Sequence, residues 1–94
     1  MTTAKFSPGQ VVLTRGIADL INREAFYTLD LVALLQRHTS GDWGNVCGED
    51  ADANERALVE GSRLLSSYKL GDTKVWCITE ADRSATTFLL PDEY

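Results

Sequence analysis

The clearest pattern of hydrophobic and polar positions lies in the last third of the chain. In residues 62–70, an extended chain places one set of side chains on one face and a second set on the other: Leu64, Ser66, Tyr68 and Leu70 against Leu65, Ser67 and Lys69. This two-sided pattern predicts a half-buried β-strand. Residues 74–80 are rich in β-branched and aromatic side chains, and residues 85–90 form a third such run that ends at Pro91. Short segments typical of turns separate the three runs. The pattern therefore predicts a three-stranded antiparallel β-meander.

The first half of the chain has a helical period instead. Apolar residues recur at helical spacing in two stretches, 17–26 and 28–40. Thr28 is the predicted N-cap of the second stretch. Arg37 and His38 fall in its last turn, where positive charge complements the helix dipole. The two stretches predict two helices joined by a short connection.

Two further features complete the pattern. Residues 9–14 contain two adjacent valines and predict a short additional strand. Residues 49–61 begin with acidic side chains and end at a glycine, which predicts a third helix. Its inner stripe is expected to be Ala53, Ala57 and Leu58. The predicted fold is thus α+β, with two to three N-terminal helices packed on the C-terminal meander and one extra short N-terminal strand.

Length and composition favour one packed unit. The chain has 94 residues, of which 44% are hydrophobic and 24% are charged, as is usual for a globular domain with one core. We therefore predict a single α+β domain over residues 1–94. No run approaches the roughly 20 apolar residues of a membrane span, and the N-terminus lacks the apolar stretch of a signal peptide. No membrane association is expected, and the predicted location is the cytoplasm.

The net charge of −5 is concentrated in one segment. Residues 41–62 contain six acidic side chains against Arg56 alone. No basic patch of the kind that binds DNA or RNA is visible, so no direct nucleic-acid binding is expected. The local acidity motivates one alternative function, an acidic inhibitor of a nucleic-acid-binding defence system of the anti-restriction or anti-CRISPR type. A mimic of this type normally spreads its acidic residues over more of the chain.

Candidate catalytic chemistry is sparse. His38 is the only histidine and the obvious general base, but its place at a helix end favours a partly exposed side chain. Cys77 lies in an apolar strand pattern, which predicts a buried free thiol. Glu80, Asp82 and Arg83 crowd the second predicted hairpin turn and motivate a second alternative, a small metal-dependent enzyme. Turn capping and mutual pairing explain these three residues more simply, so we expect no enzyme activity, no metal and no cofactor.

Three segments of the second half resemble a known family. They read GDWG at 41–44, RLLSSYKL at 63–70 and TKVWCITEADRSATTFLLPDEY at 73–94. As a set they are similar to a family of small uncharacterised bacterial proteins carried on plasmids, phages and other mobile elements. The N-terminal half is similar to a lesser degree. The resemblance implies a genomic setting and no particular activity, and it identifies no catalytic residue.

The sequence therefore favours a small non-enzymatic accessory or interaction protein of a mobile genetic element. Its expected partner is another protein or a second copy of the chain, since an exposed sheet edge or face can form a homodimer. Trp43 is expected to fill the seam between helices and sheet. The candidate functional surface is expected at one end of the sheet, and it comprises Asp42, Trp43, Asn54, Tyr68, Trp76, Glu80, Asp82 and Arg83.

Overall fold

A computed structural model describes residues 4–94, which fold as three helices and one four-stranded sheet. The strands are β1 (Gln10–Leu13), β2 (Leu64–Leu70), β3 (Thr73–Thr79) and β4 (Ala85–Leu89). The helices are α1 (Arg15–Asn22), α2 (Thr28–Thr39) and α3 (Gly48–Glu60), and a single 3-10 turn follows at Pro91–Glu93. The α+β class is therefore as predicted. Within residues 4–94, no helix combines the length and the hydropathy that crossing a membrane requires.

The sheet has the strand order β1-β4-β3-β2 and is mixed. Strands β2, β3 and β4 pair antiparallel, as the meander predicts. The sheet is not purely antiparallel, however, because β1 pairs parallel with β4, with Gln10 opposite Ala85. All three helices and two strands lie between β1 and β4 in the chain. A connection of that length allows a parallel partner, whereas a tight hairpin would impose an antiparallel one.

The helix boundaries differ from the predicted ones at two points. Helix α1 ends at Asn22 rather than at residue 26, because Glu24 adopts a φ of +60° that turns the chain away. Thr28 is the first residue of α2 and not its N-cap. The N-cap is Tyr27, whose backbone N–H donates to the Asp30 carboxylate at 2.8 Å. The prediction missed Tyr27 because an aromatic residue is an unusual N-cap.

The core lies between one face of the sheet and the helices, in two clusters. The larger cluster joins four side chains of the helical half to four of the sheet: Ile17, Phe26, Leu31 and Leu34, with Tyr68, Val75, Cys77 and Phe88. Cys77 is a buried free thiol, as predicted. The smaller cluster joins Trp43, Ala57 and Leu64. Helix α3 buries Asn54 and Ala57, whereas Ala53 is exposed, so the predicted inner stripe was wrong at Ala53.

Candidate functional site

The structure divides the eight residues of the candidate surface by burial. Trp43, Asn54 and Tyr68 are buried, Trp76, Glu80 and Arg83 are half-buried, and Asp42 and Asp82 are exposed. The three buried residues therefore cannot take part in an exposed recognition surface, and the eight do not form one together. The buried residues hold loops and helices on the sheet. The sequence does not show which side of each element faces inward, so the burial of Asn54 and Tyr68 was not predicted.

Trp43 fills the seam between helices and sheet, as predicted. Its side chain is only 6% exposed, and its ring lies near the rings of Phe6 and His38, with centroids 6.4 and 5.8 Å away. The indole N–H donates to the Glu55 carboxylate at 2.8 Å, so its one polar group is paired despite burial. Trp43 is a packing residue that fastens the 41–47 loop to α3.

Tyr68 and Asp42 form a second structural contact. The Tyr68 hydroxyl donates to the backbone carbonyl oxygen of Asp42 at 2.5 Å, and burial raises the pKa of Tyr68. The Arg37 guanidinium lies 4.6 Å from the centroid of the Tyr68 ring and binds the Asp42 carboxylate at 2.7 Å. This hydrogen bond from Arg37 lowers the pKa of Asp42. The contact therefore anchors the loop after α2 on the sheet.

Asn54 closes the outer edge of β2. Its side-chain amide donates to the Leu65 carbonyl oxygen at 2.7 Å, and its side-chain oxygen accepts from the Leu65 N–H at 3.1 Å. Two residues further along, the Ser67 N–H donates to the Trp43 carbonyl and the Ser67 carbonyl accepts from the Asn45 N–H. A side chain and a loop thus take the place of a neighbouring strand, and β2 offers no free edge at these positions.

Replacing Asn54 by aspartate is expected to destabilise the fold by about 3 kcal/mol at pH 7, because two oxygen atoms would then face each other beside Leu65. A carboxylate still accepts from the Leu65 N–H but cannot donate to its carbonyl group. Urea unfolding of N54D measures the loss. The matched control is N45D, since the Asn45 side chain is exposed. Equal midpoints for the two variants would show that Asn54 does not cap the strand.

The turn between β3 and β4 is held by Arg83. Its guanidinium donates to the backbone carbonyl oxygens of Ala57 at 3.0 Å and Ser62 at 2.6 Å, which fastens the turn to the end of α3. It also lies 5.7 Å from the centroid of the Phe6 ring. Phe6 also stacks on Trp43. Phe6 therefore connects the turn to Trp43 by packing contacts.

The acidic residues of this turn are also engaged. Glu80 pairs with Arg63 at 3.4 Å, and the Asp82 carboxylate accepts from the Ser84 N–H at 3.0 Å. A side-chain hydrogen bond from Ser84 lowers the pKa of Asp82. Among residues 4–94, no group of three or more His, Cys, Asp or Glu side chains is placed to hold a metal ion. Turn capping accounts for the contact of Asp82, whereas the Glu80 carboxylate pairs with Arg63 outside the turn and not with Arg83 as predicted.

His38 is buried and not partly exposed, which corrects the prediction. Its ring is 0% exposed, with Nδ1 2.5 Å from the Ser66 hydroxyl and Nε2 2.9 Å from the Thr79 hydroxyl. The Thr79 hydroxyl lies 2.6 Å from that of Thr86, which donates to the Pro8 carbonyl oxygen at 2.7 Å. A chain of hydrogen bonds thus links α2, three strands and the N-terminal segment.

The direction of these hydrogen bonds sets the tautomer of His38. Because Thr86 donates to a carbonyl oxygen, it accepts from Thr79, which in turn accepts from the N–H at Nε2. In the neutral ring Nδ1 therefore carries no proton and accepts from Ser66. Burial and the positive charge of Arg83 lower the pKa of His38 to about 4. A neutral ring without exposed surface offers no approach for a substrate.

The sequence contained a signal for this network that sequence reasoning missed. Ser66, Thr79 and Thr86 occupy inward positions of strands whose other inward side chains are apolar. His38 lies four residues after Leu34 and seven after Leu31, so it continues the buried stripe of α2. Polar residues on two inward-facing surfaces predict buried hydrogen-bonded partners.

Comparison with known proteins provides no family for this protein. No family model, curated protein or solved structure matches the chain. The resemblance of residues 41–94 to mobile-element proteins therefore stays a prediction. Function has to be inferred from the surface that the fold presents.

The most distinctive surface lies at the opposite edge of the sheet, where β1 meets α2. A groove of about 280 Å³ separates the two elements. Its lining is apolar except for one threonine, and consists of Val11, Leu13, Thr28, Leu31, Val32, Leu35 and Phe88. Six exposed hydrophobic residues belong to these elements and their boundary: Val11, Val12, Leu13, Tyr27, Leu29 and Val32. Val11, Leu13 and Val32 line the groove, and Val12 points to the other face of the sheet. We call the open edge of β1, the groove and these six side chains the β1–α2 surface.

The backbone of β1 has hydrogen-bonding groups on this surface that have no partner among residues 4–94. The Gln10 N–H donates to the Ser84 carbonyl and the Thr14 N–H to the Phe88 carbonyl, so the even-numbered residues face β4. Because successive residues of a strand point their backbone groups in opposite directions, those of Val11 and Leu13 face away from the sheet. Sequence reasoning predicted the strand, but its exposure depends on the position of β1 at the edge.

Proposed function

We propose that this protein is a non-enzymatic interaction module that binds an extended protein segment through the β1–α2 surface. The bound segment adds a strand to β1, in the mode known as β-augmentation. The observation that carries the proposal is the open edge of β1 with an uncharged apolar groove beside it. The sequence resemblance supports a setting on a mobile genetic element, where the module serves as an accessory protein.

The contrast between the two edges of the sheet supports this proposal. At the β2 edge, the Asn54 side chain and the 43–45 loop occupy the backbone groups of Leu65 and Ser67. At the β1 edge, residues Gln10–Leu13 include no charge and no proline, which are the usual devices that protect an edge from pairing. An unprotected edge beside exposed apolar side chains marks a binding surface.

The geometry of the surface indicates what kind of segment binds. Backbone groups of Val11 and Leu13 pair with an extended chain, and every second side chain of that chain points towards the groove. The groove wall is formed by Val32 and Leu35 of α2, so aliphatic side chains are favoured at those positions. Main-chain hydrogen bonds then contribute affinity, while the groove selects the side chains.

The contacts of the residues that suggested catalysis also support a non-enzymatic function. His38 is enclosed by the network around Ser66 and Thr79, and Arg83 is bound to backbone carbonyl groups. Glu80 pairs with Arg63, just before β2, and Asp82 caps the turn between β3 and β4. Each of these side chains has a structural role that explains its position.

A peptide with the sequence GQVVLT, flanked by lysines for solubility, is expected to bind the β1–α2 surface. Isotope-labelled protein titrated with this peptide should show saturable NMR shift changes in Gln10–Leu13 and in the groove wall of α2. The V11D variant should lose the response, because it places a charge in the apolar groove. V59D is the matched control, since Val59 is 87% exposed on α3.

A second peptide separates strand addition from simple hydrophobic contact. N-methylation of alternate residues keeps the side chains but removes the amide donors that would face β1. This peptide should bind much more weakly than the unmodified one. Equal affinity of the two peptides, or shift changes that persist in V11D, would contradict binding by strand addition.

A further inference from the structure

We propose that the partner on the β1–α2 surface is a second copy of this chain, bound about a two-fold axis beside Val12. This inference rests on the proposed function, because it names the occupant of the same surface. In the resulting dimer, the β1 strands of the two copies run antiparallel and join two four-stranded sheets into one of eight strands. Closed two-fold dimers of this kind use the same patch on both copies.

The free backbone groups of β1 suit such an axis. With Val12 opposite Val12 of the second copy, Val11 of each copy lies opposite Leu13 of the other. Val11 and Leu13 are the residues whose backbone groups face outwards, so each such pair exchanges two hydrogen bonds. The two Val12 residues then form a pair without hydrogen bonds between them, with Cα atoms about 4.5 Å apart.

The exposed apolar side chains are also placed for contact between two copies. A two-fold axis perpendicular to the sheet leaves both α2 helices on the same face, next to the junction. Val32 lines the groove, and Leu29 lies three residues earlier on the same side of the helix. Leu29 is 80% exposed, so its side chain is available to contact the α2 helix of the second copy.

The charge distribution favours pairing through β1 over pairing through β2. The acidic helix α3 packs against β2, at the far edge of the sheet. Strands are about 4.8 Å apart. In each copy three strand spacings separate β2 from β1, and the dimer axis lies half a spacing beyond β1. The two acidic helices are then farther apart than the Debye length of about 8 Å at physiological ionic strength. Their repulsion is therefore largely screened despite a net charge of −5 on each chain.

The composition of the apolar patch suits the centre of a dimer interface, which is more apolar than the rim. The free edge of β1 lies on the proposed axis and supplies backbone hydrogen bonds there. The exposed hydrophobic side chains of the β1–α2 surface, together with the groove, supply the apolar contacts beside it.

The first test is the molecular mass in solution. Light scattering on the wild-type protein should give about twice the chain mass of 10.4 kDa at micromolar concentration. The V11D variant should shift to the monomer mass, and V59D should remain a dimer. Circular dichroism verifies that V11D is folded. A wild-type monomer at all concentrations, or a V11D dimer, would overturn the inference.

The second test places a cross-link on the proposed axis. In a C47S background, which removes the exposed native thiol, the V12C variant should oxidise rapidly to a disulfide-linked dimer. The expected Cα separation of about 4.5 Å lies within the range that disulfides span. V59C in the same background is the control and should cross-link far more slowly. Equal rates for the two variants would contradict the two-fold axis.

The two proposals fail in different ways. If the protein is a monomer and V12C does not cross-link, but the GQVVLT peptide still binds, then the homodimer is wrong and strand addition stands. If neither the second copy nor the peptide binds, both proposals are wrong. If V11D still dimerises and the peptide binds the wild-type protein, then dimerisation uses another surface and β1 binds a different partner.

Discussion

Lowering the pH from 7 to 4 is expected to reduce the free energy of unfolding by about 3 kcal/mol through His38 alone. The pKa of this histidine is lowered from its ordinary value of 6.5 to about 4 in the folded protein. Between these two values the unfolded chain binds a proton that the folded chain does not bind. Stability therefore falls as the pH falls through this window, at 1.36 kcal/mol for each pKa unit.

The surroundings of His38 explain why its protonation is unfavourable. The ring is enclosed by Phe6 and Trp43, so a charge on it would be removed from water. Arg83 is the charged group that acts on it, and its positive charge also opposes protonation. Protonation at Nδ1 would in addition require the Ser66 hydroxyl to give up its present donor role.

Urea unfolding at pH 7, 6, 5 and 4 measures the effect. The matched variant is H38Q, because a glutamine amide can accept from Ser66 and donate to Thr79 without titrating in this range. Its stability should change little between about pH 6.5 and 5. The lowered pKa values of Asp42, Asp82 and Glu93, whose ordinary values are 3.8 to 4.5, reduce stability only as the pH approaches those values, and they do so equally in wild type and H38Q. Parallel curves for wild type and H38Q would show that His38 is not the responsible group.

Substitution of Gly44 by alanine is expected to destabilise the protein by at least about 3 kcal/mol, for two independent reasons. Gly44 has a φ of +73°, a left-handed conformation that costs a residue with a Cβ roughly 1–2 kcal/mol. The added Cβ would also overlap the Ser67 carbonyl oxygen and lie 2.7 Å from Cδ1 of Tyr68. The loop would have to move and lose two hydrogen bonds, from the Asn45 N–H to the Ser67 carbonyl and from the Ser67 N–H to the Trp43 carbonyl.

Three other glycines serve as matched controls for this substitution. Gly61 and Gly71 also have positive φ angles, of +79° and +61°, but no atom lies within 4 Å of the added Cβ. G61A and G71A should therefore cost only about 1 kcal/mol each, from the backbone conformation. G48A lies in a helix with open space around it and should be neutral or slightly stabilising.

The order of the four variants tests the packing of the loop. Unfolding midpoints should be lowest for G44A, intermediate for G61A and G71A, and highest for G48A. If G44A loses no more stability than G61A, the close approach of the 41–47 loop to β2 is wrong. The edge of β2 would then be open as well, and the contrast between the two sheet edges would no longer support binding at β1.

Much of the local structure could be predicted from the sequence, because it depends on periodicity. The two-sided pattern of residues 62–70 and the run at residues 85–90 that ends at Pro91 predicted two of the meander strands, and Gly61 ends α3 as expected. The glycines around Trp43 also predicted a bent loop with a buried tryptophan ring. The length of helix α1 was overestimated because the spacing of its apolar residues does not reveal the positive φ of Glu24.

The candidate surface was harder to predict, because burial depends on how elements pack. Asn54 and Tyr68 were placed on a surface, yet each lies in the interior and binds backbone groups of another segment. Val11 and Leu13 were regarded only as strand formers. Their exposure follows from the place of β1 at the sheet edge, which no local pattern specifies.

The sequence by itself determined the kinds of element and their order, since hydrophobic period, caps and turns act over a few neighbouring residues. Only the tertiary structure decided the parallel pairing of β1, the closed edge at β2 and the open edge at β1. It also decided the burial of His38, whose Ser66 partner is 28 residues away, while the Thr86 hydroxyl reaches a carbonyl group 78 residues away. Such contacts form between segments that are distant in the chain, so they depend on packing of the whole domain.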